Sequence, residues 1–294
     1  MSASEKAPNT APSQRGFADH VIYVLSENPI TALAFALFAL IVLVAVLGPA
    51  LAPYDPMESN AARALQPPNW DHWFGTDNLG RDVFSRVLVA TRLDLMISVA
   101  AVALSFVIGA ALGSVAGYWG GWIDALTGRL VDTIMAFPLF VLAMGIVAAM
   151  GNTVENIIYA TAIINLPFYA RVARAEVRIR RDAGFAQAAR LSGNTDVQVL
   201  AFHIFPNALP PMMVQISLNM GWAILNAAGL SFIGLGVRPP TAEWGIMVAE
   251  GANFVVSGEW WLAVFPGLAL MIAVFAFNLL GDGLRDIFDP RQRT

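Results

Sequence analysis

The chain is 294 residues long, 57% hydrophobic and only 13% charged, against roughly 25% charged in a soluble domain, which leaves too little polar surface to coat a water-exposed globule. Its 17 basic and 21 acidic residues give a net charge of −4, without the basic excess that a nucleic-acid binder needs to neutralise phosphates. The absence of cysteine removes disulfides and thiolate chemistry, and the single lysine, Lys6, lies outside any glycine-rich loop, so there is no phosphate-binding P-loop.

Residues 1–29 form a polar leader. The charge-free stretch between Glu27 and Asp55 predicts a first span over 30–52, longer than the roughly 20 residues that crossing requires. Ala50-Leu51-Ala52 resembles a small-residue cleavage site, but the apolar run exceeds the roughly 7 to 15 residues of a signal core, so the segment reads as a retained anchor. Residues 53–94 follow as an external loop, opened by the turn residues Pro53, Asp55 and Pro56 and carrying Trp70, Trp73 and Phe74, rings suited to a membrane interface. Thr76 or Asp77 is expected to cap a short helix in which Asp82 and Arg86 pair at i, i+4 while Val83, Val87 and Leu88 face inward.

The second span is expected over 95–117, where Ser105, Gly109, Gly113 and Gly117 recur every four residues. They line one helix face and mark a close-packed seam against a neighbouring helix or a second subunit. A third span is expected over 132–150 and a fourth over 154–170, the latter marginal because it holds Asn156, Asn165 and Pro167. The segment 171–207 is long for a loop and patterned as short helices. After a basic continuation of the fourth helix, Phe185 to Ser192 reads as a short helix with a small Ala186, Ala188, Ala189 surface, stopped by Gly193 as a left-handed cap. A simple turn would close a bundle, so an extra surface helix suggests a docking knob for another protein, the other reading being an interfacial helix on lipid. The last two spans are expected over 208–232 and 261–281.

Basic loops stay on the cytoplasmic side. With both termini inside, twelve of the seventeen basic residues are cytoplasmic, six of them between Arg171 and Arg190, while the external loop is net acidic. Asn165, Ser217, Asn219 and Asn226 are candidate pathway residues, although hydrogen bonding between helices is the commoner role of such groups. No expected span contains a mid-membrane acid, lysine or histidine, and His20, His72 and His203 fall in unlike segments that suggest no zinc cluster.

Phe185-Ala-Gln-Ala-Ala-Arg-Leu-Ser-Gly193, followed by His203-Ile-Phe-Pro206-Asn-Ala-Leu-Pro210, closely resembles the cytoplasmic "EAA" loop of permease subunits of binding-protein-dependent ABC importers, and in particular the C-type permease of the dipeptide, oligopeptide and nickel group. Phe74 to Asp82 with Ser85-Arg86, Val131-Asp132 through Pro138, Leu230 to Gly236 with Pro239-Pro240 and Trp244-Gly245, and Asn278 to Asp286 with Asp289-Pro290-Arg291 resemble the same group in order and spacing. The resemblance covers about residues 25–294. Gln187 departs from it, standing where the loop motif usually opens with glutamate.

The resemblance implies an all-α polytopic protein of the bacterial inner membrane, with six transmembrane helices, N-in and C-in, in the type I ABC importer transmembrane-domain (MetI-like) fold. Residues 95–294 would be the permease core, with 171–207 as its coupling loop. It implies a B-type permease as heterodimer partner, two cytoplasmic ATPase subunits that bind ATP and magnesium, and an external solute-binding protein. Ala186, Gln187, Ala188, Ala189, Arg190, Leu191 and Gly193 would sit in an ATPase cleft, with Asp196 hydrogen-bonding across the joint. This chain would then carry no cofactor and no catalytic residue. The cargo implied is di- or oligopeptides, with nickel chelates, glutathione or another small solute as the alternative. A carrier or channel working alone is disfavoured by the absence of ionisable groups near the middle of the spans, and an intramembrane hydrolase by the lack of a nucleophile with a partner base.

Overall fold

The computed structural model describes residues 23–288, so most of the expected leader, with Lys6 and Arg15, and the Asp289-Pro290-Arg291 stretch lie outside the described residues. Those described are helical apart from turns and one isolated bridge, Thr76 to Asp82. Asn28 opens helix α1 (Pro29–Leu51), its side chain accepting from the amides of Ile30 and Thr31, while Pro29 sits where a missing N–H costs nothing. Both Asn28 Nδ2 and Thr31 Oγ1 donate to Asp286 Oδ2, at 3.0 and 3.2 Å. The start of the first helix is thereby tied to the end of the last.

Helix α2 (Val83–Trp119) runs 37 residues without a break, about 56 Å at 1.5 Å per residue. The expected short helix after Asp77 is therefore the first turns of α2 itself. Asp82 is its cap, accepting from the Ser85 amide at 2.7 Å, and its side chain pairs with His72 at 2.8 Å. The expected Asp82–Arg86 pair is not made, because capping and the imidazole occupy the carboxylate. Val83 and Val87 are buried as expected, Leu88 only partly.

The expected third span is broken. Helices α3 (Gly121–Met135) and α4 (Leu139–Met150) meet at 88°, because Pro138 has no N–H to continue a helix and pushes the residue before it out of helical geometry. Helix α4 has 12 residues and is only about 18 Å long. Helix α5 (Val154–Arg180) covers the expected fourth span and runs on through four arginines. The cytoplasmic segment forms α6 (Gly184–Leu191), a turn at Asp196–Gln198 and a π-helical stretch, Val199–Ile204, that leads into α7 (Phe205–Phe232). Helices α8 (Trp244–Ala252) and α9 (Trp261–Phe288) complete the described chain. Among the described residues four helical stretches are long and apolar enough to cross a bilayer, namely α1, α2, Asp196–Phe232 and α9, and the bent pair α3–α4 would make a fifth.

Helix α2 is the centre of the fold and packs most extensively on α5, as α9 does on α7. One apolar core joins α2, α7, α8 and α9 around Met220, Ile224, Trp244 and Phe277. A second seats α6 under the far end of α2 through Val177, Val199, Ile204 and Met212.

Candidate functional site

Helix α6 is set by its two ends. Its exit is a Schellman motif: the Gly193 amide donates to the Arg190 carbonyl at 3.0 Å and the Asn194 amide to the Ala189 carbonyl at 3.3 Å. Gly193 has φ +90°, and the space where a Cβ would stand is empty. Backbone conformation alone asks for glycine there. Two residues later Thr195 and Gln198 form a capping box that starts the next helical turn. The helix then widens, the Phe205 amide reaching the Leu200 carbonyl five residues back, directly before Pro206, which can donate no bond of its own.

The segment is clamped to the last turn of α2. The Tyr118 hydroxyl donates to Asp196 Oδ1 at 2.6 Å and accepts from Arg190 Nη2 at 3.2 Å. Arg190 also donates to the Arg181 carbonyl at 3.1 Å, and Arg181 to the Tyr118 carbonyl at 3.2 Å. The hydrogen bonds to Tyr118 hold the Arg190 guanidinium above the ordinary arginine range, so it remains charged at any physiological pH. Asp196, expected to bond across a joint with another subunit, bonds Tyr118 within this chain through Oδ1, and its side chain remains 62% exposed. The Gln187 amide donates to the Asp182 carbonyl at 2.9 Å, a contact a glutamate carboxylate cannot make.

The face of α6 that points outward differs from the expected one. Ala186 and Ala189 are buried against the second core, because their i, i+3 spacing puts both on the side that packs beneath α2. Ala188, Gln187, Leu191 and Gly193 are exposed. Around them stand large apolar side chains: Phe185, Val197, Ile179, Phe202 and Leu191, the last 90% exposed. Sequence reasoning included Leu191 in the docking surface but took Ala186 and Ala189 to share it, and did not find Phe185, Val197, Ile179 or Phe202. The signal was present in the placement of Leu191 and Val197 among polar neighbours.

The glycine seam lies inside the chain. A Cβ on Gly109, Gly113 or Gly117 would stand 2.7, 2.2 or 2.5 Å from the carbonyl oxygens of Leu166, Ala170 and Arg174, which recur at the same four-residue interval on α5. Ser105 is buried one turn earlier and bonds the Val102 carbonyl of its own helix. Of the candidate pathway residues, Asn165, Ser217 and Asn219 are buried within this chain and only Asn226 reaches partly to its surface. Asn165 donates to the Thr161 carbonyl, Asn226 to the Trp222 carbonyl and Gln215 to Asn219 Oδ1, each within one helix, while the Asn219 side chain also interacts with Tyr169 of α5.

At the opposite end of α2 lies an ionic cluster that sequence reasoning did not find. Arg81 Nε pairs with Asp77 Oδ2 at 2.6 Å, and Arg86 approaches the same oxygen at 3.7 Å. Both guanidinium groups also face Glu250 of α8, at 3.6 and 3.8 Å. Both arginines are 1% exposed. Nearby, Asp94 Oδ2 accepts from the Trp244 amide at 3.1 Å, and fully buried Glu243 caps α8 by accepting from the amides of Gly245 and Ile246. Helix α2 thus contains an acid that the expected span of 95–117 left outside. Among the described residues no group of three or more histidines and acids is arranged to hold a metal.

Residues 109–294 match the family described as binding-protein-dependent transport system inner membrane component, and residues 17–68 the N-terminal transmembrane domain of oligopeptide transport permease C. The chain is 41% identical to the probable D,D-dipeptide transport system permease protein DdpC of Escherichia coli strain K12, over 92% of this chain and 91% of that one. It is 39% identical to the dipeptide transport system permease protein DppC of Alkalihalophilus pseudofirmus, over 92% and 88%. It is 43% identical to the glutathione transport system permease protein GsiD of Escherichia coli O1:K1 / APEC, over 88% and 86%. In fold it is similar to a chain of the inward-facing MetNI methionine ABC transporter, with a TM-score of 0.57 at 17% identity, covering 69% of this chain and 97% of that one.

Proposed function

The chain belongs to the family of inner membrane components of binding-protein-dependent transport systems, and from that premise we propose that it forms, with a second permease, the path by which di- or oligopeptides enter the cell. It is a permease subunit of an ABC importer, not itself an enzyme, and a multi-pass protein of the bacterial inner membrane. The peptide reading rests on the dipeptide permeases among its relatives. Glutathione, itself a small peptide, is the second reading, favoured by the permease that is 43% identical.

In this reading the heterodimer partner is a B-type permease, cargo arrives from an external solute-binding protein, and two ATPase subunits bind ATP and magnesium in the cytoplasm. The chain crosses six times with both termini inside, α3–α4 serving as one bent crossing and α5 as another. That orientation puts α6 in the cytoplasm, beside the six arginines between Arg171 and Arg190. The observation that carries the coupling role is α6 itself, a helix clamped to α2 through Tyr118 and ringed by exposed apolar side chains. Such a rim beyond the spans fits a protein partner. ATPase closure would push on this rim and tilt the spanning helices.

The test is to purify the tagged chain from its native cell and identify what accompanies it, and to measure labelled dipeptide uptake with the chain deleted. Recovery of an ATPase pair and a second permease, with loss of uptake, is expected. A stable solitary chain, or undiminished uptake, would overturn the assignment.

A further inference from the structure

Helix α7 turns one face to the rest of this chain and leaves another uncovered. Met212, Met220, Ala223, Ile224 and Ala227 are buried against the bundle. Gln215, Trp222 and Asn226 recur at i, i+7 and i+11, which at 3.6 residues per turn brings them within about 20° of one direction. On that side Trp222 is 62% exposed. Gln215 stands about 5 Å from the midpoint of the helix, where a bilayer is driest.

The Gln215 carboxamide is half used. Its Nε2 donates one hydrogen to Asn219 Oδ1 at 3.0 Å, which leaves a second N–H and the Oε1 acceptor, neither bonded among the described residues. Asn219 is buried, and its side chain meets Tyr169 of α5, whose hydroxyl also lies beside Ser105 of α2. The anchor of Gln215 is therefore held from two other helices while Gln215 itself stands on the uncovered face.

Three surroundings are open to that free donor and acceptor. Lipid offers no hydrogen bond, so a carboxamide turned to it in mid-span is costly. A helix of a second permease needs small residues for close approach, as Gly109, Gly113 and Gly117 provide for α5, whereas this face presents Gln215, Leu218 and Trp222. A peptide group carries one N–H and one C=O, the complement of what Gln215 has left.

We propose that Gln215 hydrogen-bonds the backbone amide of the passing peptide, with Asn219 as its positioning residue. The proposal rests on the peptide-permease reading above.

The purified importer complex in proteoliposomes, supplied with its binding protein and ATP, is tested for uptake of alanyl-alanine and of alanyl-lactate, in which an ester oxygen replaces the amide N–H. The preference of the binding protein enters every variant equally, and the ratio of the two uptakes does not depend on the amount of folded complex. Gln215→Leu should lower that ratio about fivefold, the worth of one neutral hydrogen bond. Asn219→Ala should lower it too, and the double variant no further than Gln215→Leu alone, because Asn219 acts through Gln215. An unchanged ratio in Gln215→Leu overturns the proposal, and additive losses overturn the role of Asn219. The chain has no cysteine, so Gln215→Cys places a single thiol in it, which a small charged methanethiosulfonate should label in the assembled complex. An unreactive thiol would assign the position to lipid or to the second permease and also overturns the proposal. Absence of alanyl-alanine uptake by the unsubstituted complex would instead overturn the peptide-permease reading, and this proposal with it.

Discussion

Gly193 and Gly113 both exclude a side chain, for opposite reasons. At Gly193 there is room but the backbone is left-handed, so Gly193→Ala costs roughly 1–2 kcal/mol of local strain and unsettles only the end of α6. Gly193→Asp adds charge beside the apolar rim; it should abolish peptide uptake while the amount of chain in the membrane, read by immunoblot, stays unchanged. At Gly113 the backbone is ordinary but the Ala170 carbonyl lies 2.2 Å from the first added carbon. Gly113→Leu must separate α2 from α5, so the chain should fail to accumulate at all. The first position was legible in the sequence because a glycine after a short helical run has one common use. The facing of Ala186 and Ala189 was not, since an alanine suits a buried helix face and an exposed one equally, and only the fold decides which side lies under α2.

At the scale of elements, the rim around α6 and the ionic cluster beneath α8 make contrasting predictions. Leu191 is exposed and touches little of its own chain, so Leu191→Asp should leave thermal stability within about 0.5 kcal/mol yet prevent co-purification of the ATPase subunits. Unchanged recovery of those subunits would remove the rim from the docking surface. Asp77→Asn should do the reverse. It strips the main counter-charge from two buried arginines that retain only partly exposed Glu250, a loss of roughly 3–5 kcal/mol for a broken buried pair, visible as a lower melting temperature of the purified complex. The helices carrying the first, second, fifth and sixth expected spans were legible from charge-free runs. The ionic cluster was not, because it joins residues 77–86 to residue 250, and no local pattern records so distant a pairing. The break at Pro138 had a local cause, but an apolar run of spanning length from Asp132 to Met150 outweighed it.

For the whole molecule, the buried acids set a pH dependence. Burial, acting against the amides of Ile246 and Gly245, holds the Glu243 carboxyl above its usual range, and its neighbour is the Asp94 side chain. The native state then binds that proton more tightly than the unfolded chain does, so its contribution is complete below the unfolded value and declines as pH rises through the raised native one. Asp94→Asn would supply an amide that donates to a Glu243 carboxylate while its oxygen still accepts from Trp244. The melting temperature of this variant should fall less steeply between acid and neutral pH than that of the unsubstituted chain; equal slopes would exclude the pair as the source. Asp94 and Glu243 are fixed towards one end of α2, and Tyr118 holds α6 at the other. Between Arg86 and Tyr118 the helix has no proline, and it spans about 48 Å. A beam of that length tilted by about 5° moves its far end by roughly 4 Å, so a small rotation where α6 is gripped arrives at the opposite end as a displacement the width of a backbone, with no relay of side-chain rearrangements in between.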